Sequence, residues 1–355
     1  MRITQHDIAQ SLGVSKMTVS LALRDHPRIS VALRQKVQKC ARKLNYRPDP
    51  LFSHLGSMRW KRQRHGFRGI LAYVNFYPRM VRSTNPDFQI FQRAKRIAEN
   101  LGYDLQWFPL AEASSPEALA RQLYHRGIEG VLISRIDSKS FLEEFSWHQF
   151  ATVQCNYGYF EFPCHVVGLE RYTEVVTAWK KAVETGHRRI GLVLLKEHNA
   201  TDLDVRLGAM AYCQTQLFPH LPKLPLTWCP GTEFPDVAIK KLRSLICRHR
   251  PDALILFNRY FIHLCQLMEP DILKGTSLIN LMVTDQSFGE TGLLEDFKPV
   301  THAAVHLLDS LLRTGQIGCP DNRQVILMAK RWVDGNTLIC RNEALSTPRR
   351  TRGCR

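Results

Sequence analysis

From Gly69 onward, short runs of β-type apolar residues alternate with segments of helical periodicity. This alternation confines the bulk of the chain to parallel sheets with helices on their faces. The pattern predicts strands at 70–74, 105–108, 131–134, 152–155, 253–257 and 278–283, and helices over 88–100, 116–126, 172–184, 204–216, 237–249 and 301–312. A chain of 355 residues is longer than one compact domain and has apolar content for two or three cores.

The charge is unevenly distributed. Of the net +17, residues 1–68 carry fifteen Lys/Arg against three Asp/Glu, and the tail 349–355 adds four arginines. The remaining stretch, 69–348, is nearly balanced, with 30 basic and 29 acidic side chains. A basic head on a neutral body implies a polyanion at one end, and nucleic acid suits a folded helical head better than a membrane surface does.

That head starts with ITQHDIAQSLGVSKMTVSLAL, Ile3 to Leu23, which reads as two short helices around a tight turn. Ala9 is small where the helices cross, Gly13 tolerates positive φ at the turn, and Val19 wedges between them. Thr4 and Ser15 stand as N-caps, and Ser30 opens a third helix with Leu33, Val37, Cys40, Ala41 and Leu44 at helical spacing. After Asn45-Tyr46-Arg47-Pro48, Asp49-Pro50 caps the run LFSHLGS, which is too short to persist alone in water, and a basic linker follows to Arg68. On the second helix Lys16, Met17, Ser20, Leu21 and Arg24 are left facing outward.

The ordered set Asp7-Ile8-Ala9, Leu12-Gly13-Val14-Ser15, Thr18-Val19-Ser20, the Ser30 helix start, Leu44 to Pro48 and the run ending in Leu55 resembles the head and hinge of the lactose-repressor/galactose-repressor family of bacterial transcriptional regulators. The segment from Gly186 to Leu192 resembles that family's passage from helix to strand in its second subdomain. The resemblance implies a three-helix helix-turn-helix head with a hinge helix and a two-lobed α/β body of periplasmic-binding-protein type with parallel sheets. On that basis the head spans 1–48, the hinge and linker 49–68, the body 69–340 and a basic tail 341–355. Within the body the first lobe takes 69–158 and 285–318, and the second 159–284 and 319–340.

The same resemblance implies base contacts from Lys16, Met17 and Leu21. Thr4, Ser15, Thr18, Ser20, Arg24, Arg28 and Ser30 are then positioned for phosphates, which fix register without carrying a code. Leu55 matches the leucine that the family wedges into the minor groove. Two departures stand out: Leu21 replaces a common arginine and can pack only against an apolar base edge, and Phe52 replaces an alanine. The effector is expected at the carboxyl ends of the strands. The candidates there are Tyr73, Asn75, Phe76, Arg206, Asn258 and Asp285, although Ala209 stands where a glycine is usual and Arg259 where an aspartate is. The added charge of Arg259 leaves an acidic or phosphorylated sugar as open as a neutral one. The expected partners are pseudo-palindromic operator DNA, a sugar-like effector and a second copy of the chain.

No GxSxG, HExxH, GxGxxG or P-loop pattern points to an enzyme. The ten cysteines form no CxxC pair, and neither Cys247 with His249 nor His263 with Cys265 has a second pair at ligand spacing, so no resident metal or cofactor is expected. Without an apolar run near membrane-spanning length or a leader at Met1, the expectation is a reduced, cytoplasmic protein. A repressor is the leading reading, with an activator of the same family, or a solute receptor without a DNA role, as alternatives.

Overall fold

The computed structural model describes residues 5–23, 29–44, 68–76, 86–134, 136, 138–155, 162–195 and 200–341. The predicted hinge with Phe52 and Leu55, and the basic tail beyond 341, lie outside the described residues.

The head is three helices, α1 (Gln5–Leu12), α2 (Lys16–Leu23) and α3 (Val31–Lys43). Its core is Ile8, Ala9, Val19, Ala22, Val37 and Ala41, with Leu12, Leu23, Leu33 and Leu44 packed against it. Ile8, Val19, Ala22 and Val37 are fully buried and Ala9 is 5% exposed, so the small residue Ala9 and the β-branched wedge Val19 both lie in this core.

The body follows with β1 (Gly69–Asn75), α4 (Pro86–Asn100), β2 (Tyr103–Pro109), α5 (Pro116–His125), β3 (Gly130–Ile133), α6 (Lys139–Glu144), β4 (Ala151–Cys155), β5 (His165–Leu169), α7 (Tyr172–Glu184) and β6 (Ile190–Leu195). It continues with α8 (Ala200–Tyr212), β7 (Thr227–Cys229), α9 (Pro235–His249), β8 (Ala253–Leu256), α10 (Arg259–Gln266), β9 (Ser277–Val283), β10 (Gly292–Leu294), α11 (Lys298–Thr314), β11 (Val325–Met328) and β12 (Arg331–Val333). The helix predicted over 204–216 starts earlier, at Ala200, and widens into a π turn at Cys213–Leu217.

The strands form two six-stranded sheets, ordered β11-β5-β4-β3-β1-β2 and β12-β10-β9-β8-β6-β7. The pairs β1–β2, β1–β3 and β3–β4 are parallel, as are β6–β7, β6–β8, β8–β9 and β9–β10. β10 pairs antiparallel with β12. Both sheets therefore reverse direction of growth next to their first strand, between β1 and β3 in one and between β6 and β8 in the other. At such a switch point the crevice outside the carboxyl ends is the natural ligand seat.

Two compact units result, one of 1–155, 162–166 and 301–324, the other of 156–161, 167–300 and 325–355. The first change from one unit to the other falls between 155 and 167. The second lies at 300/301, where the sequence reading placed it near 285. The reason is β10, three residues long, which is hydrogen-bonded between β9 and β12 and so keeps 285–300 with the second unit. Among the described residues, no helix is long and apolar enough to cross a membrane.

Candidate DNA-reading helix and ligand site

The turn between α1 and α2 is closed by a pair of backbone bonds. Val14 N–H donates to Ala9 O at 3.1 Å and Gly13 N–H to Gln10 O at 3.4 Å, with Gly13 at φ 63°. This is the glycine-centred helix ending in which orphan carbonyls are satisfied by a left-handed residue. A Cβ on Gly13 would meet nothing within 4 Å, so conformation rather than space calls for glycine there. Ser15 then caps α2, since the Thr18 N–H donates to its Oγ at 3.0 Å and the two hydroxyls share a bond of 2.8 Å. Ser30 Oγ accepts from Leu33 N–H at 3.4 Å at the start of α3.

Ser15 and Ser30 thus have structural work as caps, and Thr18 as the hydroxyl partner of Ser15, besides the phosphate contacts expected of them. Lys16 is exposed on the first turn of α2, and Met17, Ser20 and Leu21 fall on the same helix. Thr4, Arg24, Arg28 and Leu55 lie outside the described residues.

At the switch point of the first sheet, Tyr73 and Asn75 share one face of β1. Tyr73 is fully buried, donates to Asp87 O at 3.2 Å, and packs its ring 5.3 Å from Phe91 and 5.4 Å from Trp107. Burial first, then the Asp87 charge, raise its phenol well above the usual range. Tyr73 is therefore core, and not the expected cover for a ligand's apolar face; Phe76, past the strand end, is exposed. Ser134 Oγ donates to Asp87 Oδ1 at 2.7 Å.

Asn75 is fully buried, yet among the described residues neither its Oδ1 nor its Nδ2 has a hydrogen-bond partner. A buried amide left so costs about 1–3 kcal/mol per unmet group. A hydroxylated ligand could supply the missing donor and acceptor.

In the second unit, Arg206 on α8 is fully buried, with Nε donating to Glu174 Oε1 at 2.6 Å and its guanidinium 5.1 Å above the Phe257 ring. Glu174, in the first turn of α7, also meets Lys330 Nζ at 2.6 Å and Arg171 at 3.5 Å. Glu295, just after β10, pairs with Arg171 at 3.2 Å and with Lys330. All five side chains are at most 5% exposed, which makes this a closed ionic cluster and not an open pocket wall. Burial pushes the Glu174 carboxyl up, but Arg206, Lys330 and Arg171 outweigh it and hold the group below the usual carboxylate range. Burial lowers Lys330 despite both glutamates. Sequence reasoning singled out Arg206 but missed Glu174, Lys330, Arg171 and Glu295. The one available signal was an acidic residue at the start of a helix whose next turns are apolar.

Asn258 opens α10 without using its side chain as a cap, and its Oδ1 is buried without a hydrogen-bond partner among the described residues. The positive charge expected from Arg259 is answered locally. Its guanidinium pairs with Glu290 at 2.7 Å and lies 3.2 Å over the Phe288 ring, while Asn280 Nδ2 donates to the same carboxylate at 2.6 Å. Asp285 is exposed and accepts from Ser287 N–H at 2.8 Å, the bond that chiefly lowers its carboxyl. Arg206, Asn258 and Asp285 all follow carboxyl ends of strands in the second sheet. Asn258 presents the unmet polar atom among them, while Asp285 is engaged by its own turn.

A capped helix-turn-helix thus precedes two doubly wound α/β units along the chain. Residues 4–49 match the model of bacterial regulatory proteins of the lacI family. It is 22% identical over 195 residues to the NTD biosynthesis operon regulator NtdR of Bacillus subtilis (strain 168), covering 53% of this chain and 54% of NtdR. The match thus spans about half the length of that curated relative.

Among solved structures the fold is similar to the lac repressor dimer bound to operator and the anti-inducer ONPF, with a TM-score of 0.58 at 16% identity over 96% of this chain and 100% of that one. It is also similar to the transcriptional regulator CelR–cellobiose complex, with 0.58 at 15% over 95% and 100%. A regulatory protein of the LacI family from Chloroflexus aggregans gives 0.60 at 16% over 75% and 97%.

Proposed function

We propose that this chain is a sequence-specific DNA-binding transcriptional regulator, a repressor that acts as a homodimer on a pseudo-palindromic operator in the cytoplasm and catalyses no reaction. The observation that carries the reading is the head: a helix-turn-helix with a capped second helix, matching the lacI-family model over 4–49, in the most basic part of the chain. The lac repressor dimer binds operator with the same fold. Base readout falls to Lys16, Met17 and Leu21, with Leu55 as the minor-groove wedge.

A sugar or sugar derivative is the effector, in keeping with the cellobiose held by CelR. Two strand-end amides whose buried polar atoms lack partners among the described residues, Asn75 and Asn258, are each a candidate for its polar contacts within their own unit. Arg206 belongs to the same strand-end region, but its guanidinium already serves Glu174.

Footprinting of the full-length protein on its own upstream region, with and without a sugar panel, tests the reading. Protection of a two-fold symmetric site that one sugar relieves is the expected result. Absence of any protected site would remove the regulator reading, and protection that no sugar alters would remove the effector.

A further inference from the structure

The helix α11 buries Val300, Ala304, Val305, Leu308 and Leu311 along one side. His302 and His306 lie exposed on its other side, one turn apart. Their ring centroids are 4.3 Å apart and the planes 39° from parallel. Residues four apart on a helix are surface neighbours, so this adjacency is built into a rigid element rather than a loop. We infer that His302 and His306 form a two-imidazole seat for an exchangeable divalent cation of the zinc, nickel or copper class on the solvent face of α11.

Imidazole nitrogen suits these ions, whereas calcium and magnesium select oxygen. Bringing one nitrogen of each ring to a common ion at about 2.0–2.1 Å takes rotation of the side chains and leaves the helix unchanged. Two protein ligands leave further positions to water, so the ion is exchangeable and not structural.

The ligand must be the neutral ring. Partial burial first, and His302 second, lower the His306 imidazole against the opposing effect of Asp309, the direction that favours the neutral ring. Asp309 is no third ligand, because it is engaged by Arg68 at 2.9 Å and Tyr103 at 3.1 Å. Lys298, one turn before His302, is the nearest cation on the helix in sequence and works against the ion's charge. The seat clips the opening turns of α11, where the chain has just crossed into the first unit at 300/301, so a bound ion stiffens that entry.

The test is calorimetric titration of the full-length protein with nickel chloride, together with thermal unfolding at saturating metal. One equivalent of binding and a raised Tm are expected for the wild type. His302→Gln and His306→Gln should each weaken binding by at least about tenfold and abolish the Tm rise, since losing one of two ligands destroys the chelate. Their circular dichroism without metal should match the wild type, because both side chains are exposed. Exposed Cys247, Cys319 and Cys340 are rival ligands, so replacing these three and Cys354 by serine should leave the binding intact. Wild-type affinity in either histidine variant, loss of binding in the serine variant, or no saturable binding to the wild type would each overturn the assignment.

Discussion

Glu174 ties three cations together at a buried site, so removing any partner breaks a buried, hydrogen-bonded ion pair. Lys330→Met and Arg206→Ala should each destabilise the second unit by about 3–5 kcal/mol, read as a lower urea midpoint, and the effector response should fall with the fold rather than by itself. Because the Glu174 carboxyl is held below its ordinary value, the folded state takes up its proton less readily than the unfolded chain. Its contribution is complete above the ordinary glutamate pKa of about 4.3 and is lost as pH falls through the depressed value. The wild-type midpoint should therefore drop more steeply on acidification than that of Glu174→Gln; parallel slopes would place the carboxylate outside the network. On the reading helix, Leu21→Arg should move preference toward guanine at one half-site position by roughly 1–3 kcal/mol of discrimination, as read by selection from random sites. An unchanged consensus would take this position out of the readout.

The elements were legible where their pattern was long. α7 matches its predicted span, and the cap at Ser15 and the turn at Gly13 follow from residue type alone, because both roles depend on local backbone chemistry. Gly13→Ala should cost the head about 1 kcal/mol, since the added Cβ is disfavoured at this φ, and Ser15→Ala about the same through the lost cap. Both should lower the head's unfolding temperature and weaken operator binding in parallel. The strands β5, β7, β10, β11 and β12 escaped; β7, β10 and β12 are three residues long, which leaves periodicity no room to register. The misplaced second crossing follows from missing β10. Asn75 was legible as a strand-end residue. Tyr73, two positions earlier on the same face, was not recognised as core, because only the packing of Phe91 and Trp107 over it decides that. The partners of Arg206 were invisible for a different reason: Glu174 and Lys330 are 156 positions apart and meet only after folding.

For the whole molecule, charge location governs what binds DNA. The excess sits in residues 1–68, so operator affinity should fall steeply with added salt, and residues 70–355 alone should give no shift in a gel assay. Operator binding by that fragment as strong as the full chain's would reassign the DNA site to the body. The bond from Arg68 to Asp309 spans 241 residues, and it draws a helix made near the end of synthesis back to the strand that starts the body. A ribosome therefore releases the first unit's opening strands long before the helix that completes them. The second unit, apart from its closing strands, is made in that interval, so the body departs from the usual order in which domains fold one after another as they emerge. The opening strands must wait, with the apolar face that α11 will cover exposed to whatever holds nascent chains in solution.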